Sequence, residues 1–297
     1  MGDFQFNELK SLIENELDSD KKWNKATDKN NYQDDGGYKR EIVTHYEMDK
    51  TKHNYAVILN HEIYDETFVE PSSKREGTNV DCKNLIDTLE FLSFEVDEFS
   101  NLTYSQIVQR LRKVADMDHT QHNCLLIVVM THGDLGILYA YDTMYYAHNI
   151  WSFFTPEKCP SLAGKPRLFF MQACQGKLLD DGSILSEQTV TDGSSFNFNS
   201  LITDEDFLVF YASVADHRSF RNEQQGSWFI QTLCRQMRER AIKEDILTVL
   251  TYVIQHVALD FISRAPEKPL IHEKKQTPCI ISRLTKLLQF YPKNESD

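Results

Sequence analysis

The sequence predicts an α/β fold, a mainly parallel sheet with helices on both faces. Three observations predict it. Short apolar runs that read as buried strands alternate with stretches whose apolar residues recur at helical spacing. The run Leu125-Leu126-Ile127-Val128-Val129-Met130 is continuously apolar, as in a strand covered on both faces. A chain of 297 residues can bury a large core, in one or two domains. Strands that alternate with helices pair in parallel, and ligand sites in such sheets lie at the carboxyl ends of strands.

The elements follow in order. Phe6, Leu9, Ile13 and Leu17 fall on one face of a short amphipathic helix. After it, Asp18 to Lys22 and the polar stretch Asn30 to Gly37 have linker composition, so residues 1–45 are expected to be a flexible pro-segment. Tyr55-Ala56-Val57-Ile58-Leu59 is a buried strand, and Leu85, Leu89 and Leu92 mark a helix that follows Gly77. Phe94-Glu95-Val96 is a second strand; Ile107, Leu111 and Val114 mark a second helix. Leu125–Met130, Leu168–Met171 and Phe207–Tyr211 are the next three strands. Helices follow over Trp228–Arg240 and Ile246–Phe261, and Cys279-Ile280-Ile281 is the last strand. Between Leu178 and Asp206 there is no Lys or Arg, while Asp180, Asp181, Glu187, Asp192, Asp204, Glu205 and Asp206 crowd the segment. A loop of that length inside a compact domain points to function.

Composition narrows the function. A formal net charge of -13 argues against nucleic acid or an anionic membrane surface as partner. No apolar run approaches the roughly 20 residues of a membrane span. Met1-Gly2-Asp3-Phe4 lacks a basic region and an apolar core, so no export signal is read and a cytoplasmic location is expected. The six cysteines (82, 124, 159, 174, 234, 279) are scattered, with no Cys/His spacing for a metal and no cofactor motif. Most are expected to be inert buried thiols.

One cysteine differs. Gln172-Ala173-Cys174-Gln175-Gly176 follows the strand Leu168–Met171, so Cys174 stands where the chain leaves the sheet. A thiol attacks a carbonyl as thiolate and needs a base and an oxyanion site. Thr131-His132-Gly133 stands at the end of the preceding strand, about 40 residues upstream. In a parallel sheet two such ends can adjoin, so Cys174 and His132 can meet. The backbone N–H groups of Gly133 and Cys174 are the natural oxyanion donors.

These motifs, with Lys74-Arg75-Glu76-Gly77-Thr78 and Phe220-Arg221-Asn222 ahead of Gly226-Ser227-Trp228-Phe229, make the chain resemble a caspase of the short-prodomain, executioner type from about Tyr46 to Tyr291. The resemblance implies a caspase-like three-layer sandwich with a mainly parallel six-stranded sheet, and large and small subunits made from one chain. It divides the chain into a pro-segment (1–45), a large-subunit part (46–177), a cleavable acidic linker (178–206) and a small-subunit part (207–297). It implies a cysteine endopeptidase that cleaves proteins after aspartate, made as a zymogen, executing apoptosis. Arg75, Gln172 and Arg221 would hold the aspartate side chain, as bidentate guanidiniums suit a carboxylate. The substrate would pair as an added strand with Ser219-Phe220-Arg221, Phe220 walling the pockets beyond. Processing is expected after Asp192, ahead of Gly193-Ser194, and after Asp35 or Asp28 in the pro-segment. The implied partners are an upstream initiator caspase, inhibitor-of-apoptosis proteins and a second processed copy, paired through the last strand. The chain departs from the executioner pattern at one place. Where that type commonly has two tyrosines and then Ser-Trp-Arg, it has His217, Arg218, Ser219, Phe220 and Arg221. The departure admits a changed residue preference or a weak activity. An alternative reading is a weakly active or inactive caspase-like regulator that binds a partner caspase.

Overall fold

In a computed structural model of the chain, residues 44–69, 74–176, 178–180 and 204–292 are described. The central sheet has six strands: β1 (His53–Asn60), β2 (Phe94–Ser100), β3 (His122–Met130), β7 (Arg167–Gln172), β8 (Phe207–Tyr211) and β11 (Cys279–Ser282). Their spatial order is β11-β8-β7-β3-β1-β2. Four of the five pairings are parallel, and only β11 runs antiparallel, against β8.

β3 and β7 are buried along their whole length because both faces are covered. Alternate side chains serve the two faces. Ile58, Leu126, Val128, Phe170 and Phe210 pack against α1 (Thr78–Phe91), α4 (Trp228–Arg240) and α5 (Ile246–Asp260), through Leu85, Leu89, Phe229, Leu233, Val249 and Val253. Val57, Leu59, Ile127, Val129, Phe169 and Val209 form the other core. Among the described residues that face carries one long helix, α2 (Tyr104–Ala115), whose Ile107, Leu111 and Val114 point inward. The rest of it is covered by a small antiparallel sheet of β4 (Gly133–Asp134), β5 (Ile137–Tyr139) and β6 (Met144–Tyr146), and by α3 (His148–Trp151). A two-stranded ribbon, β9 (Arg221–Asn222) and β10 (Gly226–Ser227), precedes α4.

The acidic loop is shorter than residues 178–206, because both ends are tied into the fold. The Leu178 N–H donates to the Asp216 carbonyl at 2.8 Å, and the Lys275 N–H donates to the Asp180 carbonyl at 2.7 Å. At the far end Asp206 Oδ1 accepts from the Tyr46 and Thr285 hydroxyls, both at 2.6 Å. Asp28, Asp35 and Asp192 lie outside the described residues.

Candidate active site

Strand register brings the two motifs together. Met130, the end of β3, pairs with Gln172, the end of β7, and the Thr131 N–H donates to the Gln172 carbonyl at 3.1 Å. His132 and Cys174 each lie two residues beyond that pair, at the same rim. Gly133 lets the segments touch. A Cβ built on it would stand 2.8 Å from the Cys174 carbonyl oxygen and 3.0 Å from the Ala173 Cβ, closer than a side chain tolerates. The Tyr139 N–H donates to the His132 carbonyl at 3.1 Å, which makes Gly133 and Leu138 the next pair of the ladder. Alternation then turns the Gly133 N–H away from β5. Gly176 answers a second close approach, since a Cβ there would collide with the backbone of Asp216.

The Cys174 thiol is part-exposed. Its Sγ lies 3.5 Å from the Ser219 backbone nitrogen, 3.8 Å from the Ser219 carbonyl and 3.7 Å from the Ser219 Oγ. The other cysteines are unlike it. Burial pushes Cys82 and Cys234 up to about 12, and raises Cys124, Cys159 and Cys279 as well. None of these five is a thiolate at neutral pH.

Behind the thiol lies a pocket of buried polar groups. Arg75 is only 1% exposed. Its Nη1 donates to the His61 carbonyl at 2.7 Å and to the Thr78 hydroxyl at 2.9 Å. Its Nε and Nη2 have no hydrogen-bond partner among the described residues. Burial lowers its pKa to about 10, so it stays cationic at neutral pH. Arg221 donates from Nε to the Glu76 carbonyl at 2.7 Å. Gly77, at φ +86°, makes this crossing possible, since a Cβ would sit 2.5 Å from the Asn222 carbonyl oxygen. Gln172 donates from Nε2 to the Ser219 hydroxyl at 3.2 Å. Asp81, fully buried, accepts from the Ser227 N–H at 2.9 and 3.0 Å and from Gln231 Nε2 at 2.7 Å. Burial raises the Asp81 pKa, while these hydrogen bonds and Arg75 oppose the rise.

The segment beside the thiol has a usable edge. The Trp228 N–H donates to the Phe220 carbonyl at 3.4 Å, on the β10 side. Backbone alternation puts the Ser219 and Arg221 carbonyls on the opposite side, where the Ser219 carbonyl meets the thiol. The Phe220 N–H donates at 2.6 Å to Oε1 of Gln276, a buried side chain whose Nε2 donates at 2.8 Å to the Ala212 carbonyl. Phe220 stacks on Trp228 at 4.8 Å, and Trp228 on Phe261 at 5.1 Å, as an apolar wall. His217 is spent on its own turn: its ring Nδ1 faces the Ala215 carbonyl at 2.8 Å, and its carbonyl accepts from the Gln175 N–H and the Ser213 hydroxyl.

Sequence reasoning thus named Arg75, His132, Gly133, Gln172, Cys174, Ser219, Phe220 and Arg221, and the fold gathers them at one rim. It missed Tyr64, Asp81 and Gln276. Tyr64 follows a strand end, which is a faint signal; the other two carry none. Among the described residues no group of three or more His, Cys, Asp or Glu could hold a metal ion, and no helix is long and apolar enough to cross a membrane.

A thiol and an imidazole at adjoining ends of a parallel sheet, over one buried and one half-buried guanidinium, have the make-up of a cysteine peptidase that selects an acidic residue. Comparison with known proteins gives the family. The caspase domain model matches residues 53–289. Caspase-1 of Spodoptera frugiperda is 47% identical over 246 residues, 83% of this chain and 81% of that protein. Caspase drICE of Drosophila melanogaster is 44% identical over 249 residues, 84% of this chain and 73% of that protein. Caspase-3 of Felis catus is 37% identical over 246 residues, 83% of this chain and 87% of that protein. The crystal structure of the Spodoptera frugiperda caspase-1 superposes with a TM-score of 0.77 at 44% identity, covering 86% of this chain and 96% of that one. The chain belongs to the caspase family and is a cysteine-type endopeptidase.

Proposed function

We propose that the chain cleaves proteins after aspartate, with Cys174 as nucleophile, His132 as general base and then acid, and the N–H groups of Gly133 and Cys174 as oxyanion donors. One observation carries the selectivity. The side-on edge of Arg75, Nε with Nη2, is buried and has no hydrogen-bond partner among the described residues. Two parallel donors on a permanent cation suit a carboxylate held bidentately. A neutral side chain would leave that charge buried and unpaired, which gives strong discrimination. Arg221 and Gln172 complete the pocket.

The substrate lies along Ser219–Arg221 as an added strand, with the scissile carbonyl at Cys174. The thiolate attacks that carbonyl, and the negative charge moves to an oxygen facing the two N–H groups. His132 gives a proton to the leaving amine, an acyl-enzyme remains, and water activated by His132 releases the acid. Turnover of Asp-containing tetrapeptides, lost in Cys174→Ala and not restored by Glu or Asn in place of Asp, is the test. No turnover on any such peptide by processed protein would instead favour a regulator of a partner caspase. The departures at His217 and Arg218 are the sequence support for that second reading.

The same chemistry accounts for maturation. A cut after Asp192 separates the large-subunit part (46–177) from the small-subunit part (207–297), and a cut after Asp35 or Asp28 removes the part of the pro-segment ahead of it. An upstream initiator caspase makes the first cut. The processed unit pairs with a second copy through β11, the half-buried edge strand whose far side is unpaired in the sheet. Inhibitor-of-apoptosis proteins are further partners, and the setting is the cytoplasm. Mass spectrometry of active protein is expected to show the Asp192–Gly193 bond cut, and Asp192→Ala to remain one piece. An intact bond in fully active protein overturns this assignment.

A further inference from the structure

Tyr64 lies in the loop after β1, and three observations join it to His132. It is 9% exposed, and its ring stacks on the His132 imidazole with centroids 5.0 Å apart. The His132 N–H donates to its hydroxyl at 2.9 Å. The same hydroxyl lies 2.9 Å from the Thr131 Oγ1, which donates at 2.6 Å to the Tyr139 carbonyl.

Proton directions in this chain are forced. A backbone N–H only donates and a carbonyl only accepts. So the Tyr64 hydroxyl accepts from His132 and donates to Thr131, and Thr131 donates to Tyr139. The Tyr139 N–H donates to the His132 carbonyl at 3.1 Å and closes the circuit. The first three of these bonds, from the His132 N–H through the Tyr64 and Thr131 hydroxyls to the Tyr139 carbonyl, run head to tail and polarise one another. Burial raises the Tyr64 pKa, so the hydroxyl keeps its proton through the working range of pH.

The circuit replaces a regular ladder step. His132 and Tyr139 face each other across β4 and β5, and an ordinary antiparallel pair would return a bond from the His132 N–H to the Tyr139 carbonyl. Here the Thr131 hydroxyl takes that carbonyl, and Tyr64 takes the N–H. Removing the Tyr64 hydroxyl lets residue 132 relax toward the ordinary pairing and carries the imidazole with it. Tyr64 also touches the aspartate pocket: its ring stacks on His61 at 6.2 Å, and the His61 carbonyl holds Arg75.

We propose that Tyr64 is a positioning residue that sets the His132 imidazole for proton transfer, acting through its hydroxyl and the Thr131–Tyr139 circuit. This rests on His132 being the base. The test uses the processed enzyme with Tyr64→Phe, which keeps the stacked ring, and with Thr131→Val and Thr131→Ser. Misplacing a reacting group by about 1 Å costs on the order of a hundredfold. Tyr64→Phe and Thr131→Val are each expected to lower kcat by about 10- to 100-fold with KM within about twofold. Thr131→Ser retains the parental rate, and the double variant is no worse than either single one, because both break one circuit. The rate of Cys174 alkylation by iodoacetamide against pH, which needs no peptide, shifts in both variants as the imidazole moves from the thiol. A parental kcat and alkylation profile in Tyr64→Phe overturns the inference. So do multiplicative losses in the double variant, or a fall in kcat matched by the folded fraction alone. His132→Ala separates the two levels. If it abolishes turnover and changes the alkylation profile while Tyr64→Phe does neither, only the Tyr64 assignment falls. If it changes neither, the base assignment falls and the inference with it.

Discussion

Replacing Arg75 by methionine separates recognition from folding. The guanidinium sits 1% exposed, and among the described residues two of its nitrogens have no partner and only the Nη1 bonds to His61 and Thr78 offset the cost of burying it. An apolar side chain of similar length removes both the cost and the two bonds, and exchanges of this kind are often neutral or stabilising. The melting temperature of Arg75→Met is therefore expected to stay at the parental value or to rise. Catalysis goes the other way. Two charge-assisted hydrogen bonds to a buried carboxylate are worth about 1.5–3 kcal/mol each, about 3–6 kcal/mol together. At about 1.36 kcal/mol per factor of ten, kcat/KM on an Asp peptide falls by roughly 10²- to 10⁴-fold. Calorimetry and steady-state kinetics on the same preparation check both halves. A variant that keeps its preference for Asp over Asn, with kcat/KM within about tenfold, would refute the reasoning, whatever its stability.

Further outcomes follow from neighbouring groups. His61 is fully buried with neither ring nitrogen hydrogen-bonded among the described residues, and burial depresses its pKa to about 3. The unfolded chain then binds the proton first, so stability is full above about pH 6.5 and falls as pH drops toward 3, by about 2 kcal/mol between pH 6.5 and 5. His119 and His122 are shifted the same way, so in denaturant titrations His61→Asn flattens only its own share of this slope, and an unchanged slope counts against it. Gln276→Ala frees the Phe220 N–H and weakens the substrate-binding strand by about 1–2 kcal/mol, so KM rises about 5- to 30-fold with kcat nearly constant. A fall in kcat at constant KM would place Gln276 elsewhere in the mechanism.

The order of elements was legible because the strands are apolar throughout and the helices carry clear stripes. Boundaries were less so. β3 begins at His122 and not at Leu125, because His122 and Asn123 are polar yet buried. The sheet β4-β5-β6 left no mark, since strands of two or three residues show no period. Hence the expectation of helices on both faces met one face with a single long helix. Cys174 and His132 could be named because a strand end is a local feature. Tyr64, Gln276 and Asp81 reach the site across 68, 56 and 146 residues of chain, to His132, Phe220 and Ser227, and no local pattern marks such contacts.

The acidic loop joins β7 to β8, which lie side by side at the centre of the sheet with five residue pairs in register. Its ends are moored at Leu178–Asp180 and Asp204–Asp206. A break between the moorings therefore severs a covalent tether and none of the hydrogen bonds that hold those strands. The two fragments stay interleaved through one core and melt as a single cooperative body. The β7–β8 pairing therefore passes unchanged from the precursor to the nicked protein, while the stability of the nicked form becomes dependent on protein concentration, because its unfolding now releases two chains.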